Sequence, residues 1–123
     1  MPISLVRRPL IGLVALALLL ALSAIGASPA HATGLAVTIA CESGLNHFHC
    51  DAYPSGGIAP YTYSWQAITN SGITSSTTTA TVTGTCSGYA IPPSFTVQVT
   101  VRDSTGAMVT KQGGTICRSG AWQ

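Results

Sequence analysis

Ser55-Gly56-Gly57-Ile58-Ala59-Pro60-Tyr61-Thr62-Tyr63-Ser64-Trp65 couples a bend directly to a strand. The glycine pair and the proline favour a turn, because glycine accepts positive φ and proline pre-sets its own. The alternation that follows puts Tyr61, Tyr63 and Trp65 on one face and Thr62, Ser64 and Gln66 on the other. A strand with that much aromatic area on one side requires a second layer to cover it. The segment is therefore expected at the centre of a small β-sandwich.

Working outward, Leu35, Val37, Ile39 and Cys41 alternate with small or polar residues, which predicts a first strand. Glu42 to Asn46 turns the chain, and His47 to Tyr53 is a second strand with Phe48, Cys50 and Ala52 inward and His47, His49 and Asp51 outward. After the aromatic strand, Thr69-Asn70-Ser71-Gly72 reads as a turn. The β-branched run Thr77 to Thr83 reads as a strand with Ala80 and Val82 turned in. Gly84 to Pro93 is a longer crossing. Phe95, Val97, Val99 and Val101 then point inward along the clearest strand of all. Asp103-Ser104-Thr105-Gly106 is a hairpin turn, and Ala107 to Cys117 returns beside that strand, with Gly113-Gly114 suggesting a bulge. No apolar 3.6-residue period follows residue 33, so the expectation is all-β, a sandwich of about seven strands.

The first thirty-odd residues have a different character. Arg7 and Arg8 precede an apolar run from Leu10 to Ile25, and Ser28-Pro29-Ala30-His31-Ala32 supplies an A-x-A cleavage pattern. The run is shorter than the roughly 20 apolar residues of a membrane span, and no basic cluster follows it. Residues 1–32 are thus expected to be a cleaved signal peptide and residues 33–123 the domain, with no membrane insertion after cleavage. The five Lys and Arg against three Asp and Glu give a formal charge of +2. Arg7 and Arg8 belong to the leader, and Arg102, Lys111 and Arg118 then balance Glu42, Asp51 and Asp103. A neutral domain without a basic patch argues against nucleic acid as a partner.

Cys41, Cys50, Cys86 and Cys117 all lie in the expected exported part. An even set in a small secreted domain reads as two disulfides, and the lack of C-x-x-C disfavours a zinc ribbon or a thioredoxin-type motif. Cys41 ends one strand and Cys50 lies on its neighbour, both on the inward phase and within the roughly 7 Å of Cα separation that a bridge tolerates. The hairpin that follows Phe95 returns Cys117 towards the segment carrying Cys86. Cys41–Cys50 and Cys86–Cys117 is therefore the favoured pairing of the three that four cysteines allow.

Ser55-Gly56-Gly57 followed by Pro60-Tyr61-Thr62-Tyr63-Ser64-Trp65 resembles the centre of bacterial PKD domains and related immunoglobulin-like repeats. Phe95 to Gly106 is similar to the strand and turn that close such domains, so the resemblance covers most of residues 35 to 112. It implies an immunoglobulin-like (PKD-like) sandwich serving as a spacer or binding module in exported bacterial proteins, and it does not imply catalysis. The chain departs from the family where Gln66-Ala67-Ile68-Thr69 replaces an Asp- and Gly-rich turn, and in carrying four cysteines.

For chemistry, His47-Phe48-His49-Cys50-Asp51 is the only suggestive cluster. Alternate residues of a strand share a face with Cα atoms roughly 6.5–7 Å apart, so His47 and His49 are a candidate metal pair with Asp51 as third ligand or supporting partner. Any alternating strand with two outward histidines shows the same spacing. A Ser-His-Asp hydrolase lacks its G-x-S-x-G turn, and carboxylate pairs would have to come from Glu42, Asp51 and Asp103 alone. No enzyme activity and no cofactor are expected.

Tyr53, Tyr89 and Trp122 are candidate exposed binding aromatics near bends or the terminus, whereas Tyr61, Tyr63 and Trp65 fit a core. The Thr77–Thr83 hydroxyls fit an outward strand face better than a site for O-linked sugars. The expected function is a secreted, non-catalytic binding or structural module outside the cell or at its surface, with a protein or a cell-surface polysaccharide as partner. The alternative is a small secreted inhibitor of an extracellular hydrolase, acting through Pro54 to Pro60 or Ser87 to Ser94. That alternative requires one of these loops to protrude beside a bridge, since a rigid loop loses little entropy on docking.

Overall fold

A computed structural model describes residues 34–123. The signal peptide expected over residues 1–32 lies outside the described residues. The chain forms β1 (Ala36–Gly44), β2 (His47–Ser55), β3 (Thr62–Thr69), β4 (Gly72–Ile73), β5 (Thr81–Thr85), β6 (Thr96–Arg102) and β7 (Met108–Gly113). There is no helix among the described residues. All pairings are antiparallel, in a four-stranded sheet of order β1-β2-β5-β4 and a three-stranded sheet of order β3-β6-β7.

The two sheets share one core. From β2 come Phe48, Cys50 and Ala52, from β5 Val82, from β3 Trp65, and from β6 Val97, Val99 and Val101. Phe48 stacks on Phe95 with ring centroids 4.8 Å apart. The alternation along β2 and β6 is the reason: every second side chain is apolar, so only one face of each strand can be buried. Fully burying each Phe or Val contributes roughly 1.5–3 kcal/mol relative to leaving it exposed. Only eleven apolar residues are buried among the described residues, so a core of this size benefits from covalent reinforcement.

Two disulfides supply it, in the pairing expected from the strand layout. Cys41 and Cys50 face each other directly in the β1–β2 register with Cα atoms 4.1 Å apart, and Cys86 joins Cys117 at 6.0 Å.

Several expectations are corrected. The aromatic strand β3 is an edge of its sheet, and β6 is the central strand. Pairing β6 with both neighbours buries three valines completely, whereas Tyr61 and Tyr63 stay half-buried and only Trp65 goes inside. The turn expected over Thr69–Gly72 shrinks to Asn70 and Ser71, because Gly72 and Ile73 pair with Thr85 and Gly84. The strand expected from Thr77 begins only at Thr81. Thr77 and Thr79 give their carbonyls to Trp65 instead, accepting its backbone N–H at 2.9 Å and its indole Nε1–H at 2.8 Å. Ala80 then accepts the Ala52 N–H at 2.9 Å, so this segment carries the chain from the edge of one sheet to the other.

The last strand stops at Gly113 rather than Cys117, with an isolated bridge between Ser94 and Ile116 beyond it. The glycine pair is not a bulge: Val97↔Gly113 and Ser94↔Ile116 lie in the same register. Close packing explains the pair. A Cβ on Gly113 would meet Ile39 at 2.9 Å, and one on Gly114 would overlap the Phe95 carbonyl. The irregularity in pairing falls in β3, between Ala67 and Thr69. Pro54 sits inside β2 without cost to a second ladder, since β5 pairs with β2 only as far as Asp51.

Candidate binding surface

One end of the molecule gathers the β1–β2 turn, the crossing segment after β5 and the chain beyond Cys117. The turn is the two residues Leu45 and Asn46, with φ of 53° and 60°. Asparagine tolerates that region, whereas leucine adopts it at an energetic penalty. The surroundings hold the turn in place. Leu45 N–H donates to the Gly120 carbonyl at 2.7 Å, and Asn46 N–H donates to the Arg118 carbonyl at 2.8 Å. Asn46 in turn accepts the Cys86 N–H at its carbonyl and the Gly88 N–H at Oδ1, both at 3.0 Å.

The crossing loop Ser87–Ser94 is fixed from a second side by Asn70. Its amide NH2 donates to the Ser87 carbonyl at 3.0 Å, and its Oδ1 accepts the Ser87 N–H at 3.0 Å. The Cys86–Cys117 bridge lies directly before the loop, and Cys117 N–H donates to the Pro93 carbonyl at 2.8 Å. A loop anchored at its start and its end still projects apolar groups into solvent: Tyr89 is 80% exposed and Ile91 99%. Leu45 and Ile116 are also exposed at this end. A groove of about 370 Å³ runs between the loop and the tail, lined by Gly88, Pro93, Ile116 and Arg118 to Ala121.

The C-terminal tail folds back over the turn. Gln123 and Ser43 exchange backbone hydrogen bonds at 3.2 and 3.4 Å, and the buried Ser43 hydroxyl donates to the Ile116 carbonyl at 2.6 Å. Trp122 then lies on Gly44, where a Cβ would come within 2.6 Å of it, so only glycine lets the tail settle there.

The other candidate loop, Pro54 to Pro60, is at the opposite end. Ile58 is exposed, but the loop is bound to the Asp103 hairpin and has no disulfide beside it.

The candidate metal residues do not converge. His47 directs Nδ1 to the Leu45 carbonyl at 2.8 Å, while His49 pairs through Nε2 with Asp51 Oδ2 at 3.0 Å. Among the described residues no three His, Cys, Asp or Glu side chains form a metal-binding group. Asp51 is held below the ordinary carboxylate range, first by the Thr81 hydroxyl that donates to its Oδ1 at 2.5 Å and then by His49, with desolvation opposing. His49 and Asp51 are oriented like the base and orienting acid of a hydrolase, but no hydroxyl or thiol is hydrogen-bonded to the other ring nitrogen among the described residues.

Of the candidate aromatics, Tyr89 and Trp122 lie at the crossing-loop end. Tyr53 stands six residues from His47 along the outer face of β2, roughly 20 Å away by strand geometry. Sequence reasoning did not single out Asn46, Asn70 or Ile91. Ile91 carried one usable signal, a large apolar residue before two prolines and outside any alternation. Compared with protein-family models, curated proteins and solved structures, the chain matches none.

Proposed function

We propose that the protein is a secreted, non-catalytic, immunoglobulin-like (PKD-like) module that binds another protein through the crossing loop Ser87–Ser94. One observation carries the reading: Ile91 is 99% exposed on a loop whose backbone is already ordered by Asn46, Asn70 and a disulfide. An apolar side chain held in solvent by a preorganised loop fits a concave apolar pocket on a partner. Its burial would contribute roughly 1.5–3 kcal/mol without the entropy loss of ordering a free loop. Export is supported by the leader-like composition of residues 1–32 and by two disulfides, which persist in oxidising compartments. Immunoglobulin-like architecture is supported by the aromatic-strand resemblance together with two antiparallel sheets around one core.

The second reading, an inhibitor of an extracellular hydrolase, is favoured by the same loop, because protrusion beside a bridge is the geometry it requires. The two separate in one experiment. Immobilised protein is exposed to secreted and surface proteins, alongside Ile91→Asp and the control Ile58→Asp at the far end. Capture lost with Ile91→Asp and kept with Ile58→Asp supports the loop, and equal capture by all three discards it. Adding the protein to culture fluid and following protease and amylase activity then distinguishes inhibition from plain binding.

A further inference from the structure

A second cleft, of about 310 Å³, opens on the outer face of the four-stranded sheet, lined by His47, His49, Thr74, Thr83 and Trp122. Its polar groups have unused hydrogen-bonding positions. His47 uses Nδ1 towards a carbonyl, so that nitrogen carries the proton and Nε2 is a free acceptor in the neutral ring. His49 uses Nε2 towards the Asp51 carboxylate, which leaves Nδ1 as its free acceptor. Thr74 and Thr83 join the surrounding network through their backbones, with Thr74 N–H on the Thr83 carbonyl at 3.1 Å and Thr83 N–H on the Ser75 hydroxyl at 2.9 Å. Their own hydroxyls bond to nothing among the described residues. Trp122 adds an indole, the residue being 44% exposed although it packs against Gly44.

We propose that this cleft binds a neutral sugar ring of a glycan. A pyranose has an apolar C–H face that stacks on an aromatic ring and a rim of hydroxyls that both donate and accept. The residues around the cleft, whose lining is mainly apolar, carry the complement: one indole, two ring-nitrogen acceptors and two hydroxyls. Of the two carboxylates near His49, Asp51 is engaged by His49 and Thr81, and Glu42 stands exposed across from His49 in the β1–β2 register; neither lines the cleft, so the lining itself carries no carboxylate. A purely apolar ligand would leave both acceptors unpaired. The volume lies at the lower end of small-ligand sites, which run from about 300 to 1,000 Å³. The proposal does not rest on the crossing loop, whose Tyr89 and Ile91 are not part of this lining.

The chain has two tryptophans, so their indole N–H signals provide a site probe and an internal control. Nitrogen-15-labelled protein is titrated separately with chitotriose, maltotriose and cellotriose up to about 10 mM, where a millimolar site is mostly filled. The expected result is a saturable shift of the Trp122 indole and of the His47 and His49 rings with at least one sugar, while the buried Trp65 indole stays still. Trp122→Ala and His47→Ala should each weaken that binding at least about tenfold while leaving the Trp65 signal in place as proof of folding. Silence with all three sugars, or shifts centred on Tyr89 and Ile91, would overturn the proposal. Loss of protein capture in Ile91→Asp leaves the sugar titration unchanged, so the two sites fail independently.

Discussion

Asp103 Oδ2 accepts the backbone N–H of Ile58 at 3.1 Å across a sequence separation of 45. The Ser104 N–H completes the link by donating to the Ile58 carbonyl at 2.8 Å. The other oxygen of Asp103 organises its own hairpin, accepting the Thr105 N–H at 2.9 Å, the Thr105 hydroxyl at 2.7 Å and the Ala107 N–H at 3.0 Å. One carboxylate therefore closes the β6–β7 turn and pins the glycine-rich bend ahead of β3. An anion accepting several N–H groups is favoured in its charged form, which makes the arrangement sensitive to acid.

Asp103 titrates below its ordinary value, chiefly because of the Thr105 hydroxyl and then the backbone N–H groups, with desolvation opposing. A depressed folded-state value means stability that is fully present above the unfolded value of about 3.9 and lost as pH falls through the lower folded value. Asp103→Asn should lower the urea midpoint at neutral pH and narrow its gap from wild type between about pH 4 and pH 2. A gap that stays constant over that range would show that the carboxylate charge is not what holds the bend.

Trp65 closes the seam between the sheets, since its backbone and indole N–H groups hold the Thr77 and Thr79 carbonyls. Trp65→Phe keeps an aromatic ring but leaves the Thr79 carbonyl without its donor and a gap beside Val99, its register partner. A loss of roughly 1–3 kcal/mol is expected from denaturant unfolding. Amide exchange should quicken at Val82 more than at Val109 on the far edge. Uniform quickening would contradict the seam.

The two disulfides close loops of different length, with separations of 9 and 31 residues. Chain-entropy reasoning gives about 2.5 kcal/mol for the first and about 3.5–4 kcal/mol for the second. Paired Cys→Ala replacement should therefore cost more at Cys86 and Cys117 than at Cys41 and Cys50. It should also loosen the crossing loop, read as proteolysis near Tyr89 and Ile91. Equal midpoints for the two double variants would argue against the loop-length account.

Asn46→Gly preserves a backbone that accepts positive φ but deletes the Oδ1 that receives the Gly88 N–H. A cost of about 1 kcal/mol and faster exchange at Gly88 are expected, with the β1–β2 register unchanged. A shifted register between Cys41 and Cys50 would mean that the side chain sets the turn rather than the loop.

Much of the core was legible along the chain, because burial on a strand repeats every second residue. Phe48, Cys50, Ala52, Val97, Val99 and Val101 are buried on the phase their alternation implied, and the inward phase of Cys41 and Cys50 led to their bridge. The crossing loop was visible as a candidate, but not that Ile91 is its most exposed apolar residue. Asn46 and Asn70 look like ordinary turn residues in sequence, and only their partners at Gly88 and Ser87 make them anchors.

The amino-acid order by itself determined the all-β character, the inward faces and the cysteine pairing, since each depends on a local two-residue period or on short reach between neighbouring strands. Only the tertiary structure decided that β6 and not β3 is central, that Thr77–Ala80 crosses from β3 of one sheet to β2 of the other, and that Trp122 comes to rest on Gly44 beside His47. Those outcomes depend on hydrogen bonds and close approaches between residues many positions apart. No periodicity along the chain encodes such contacts.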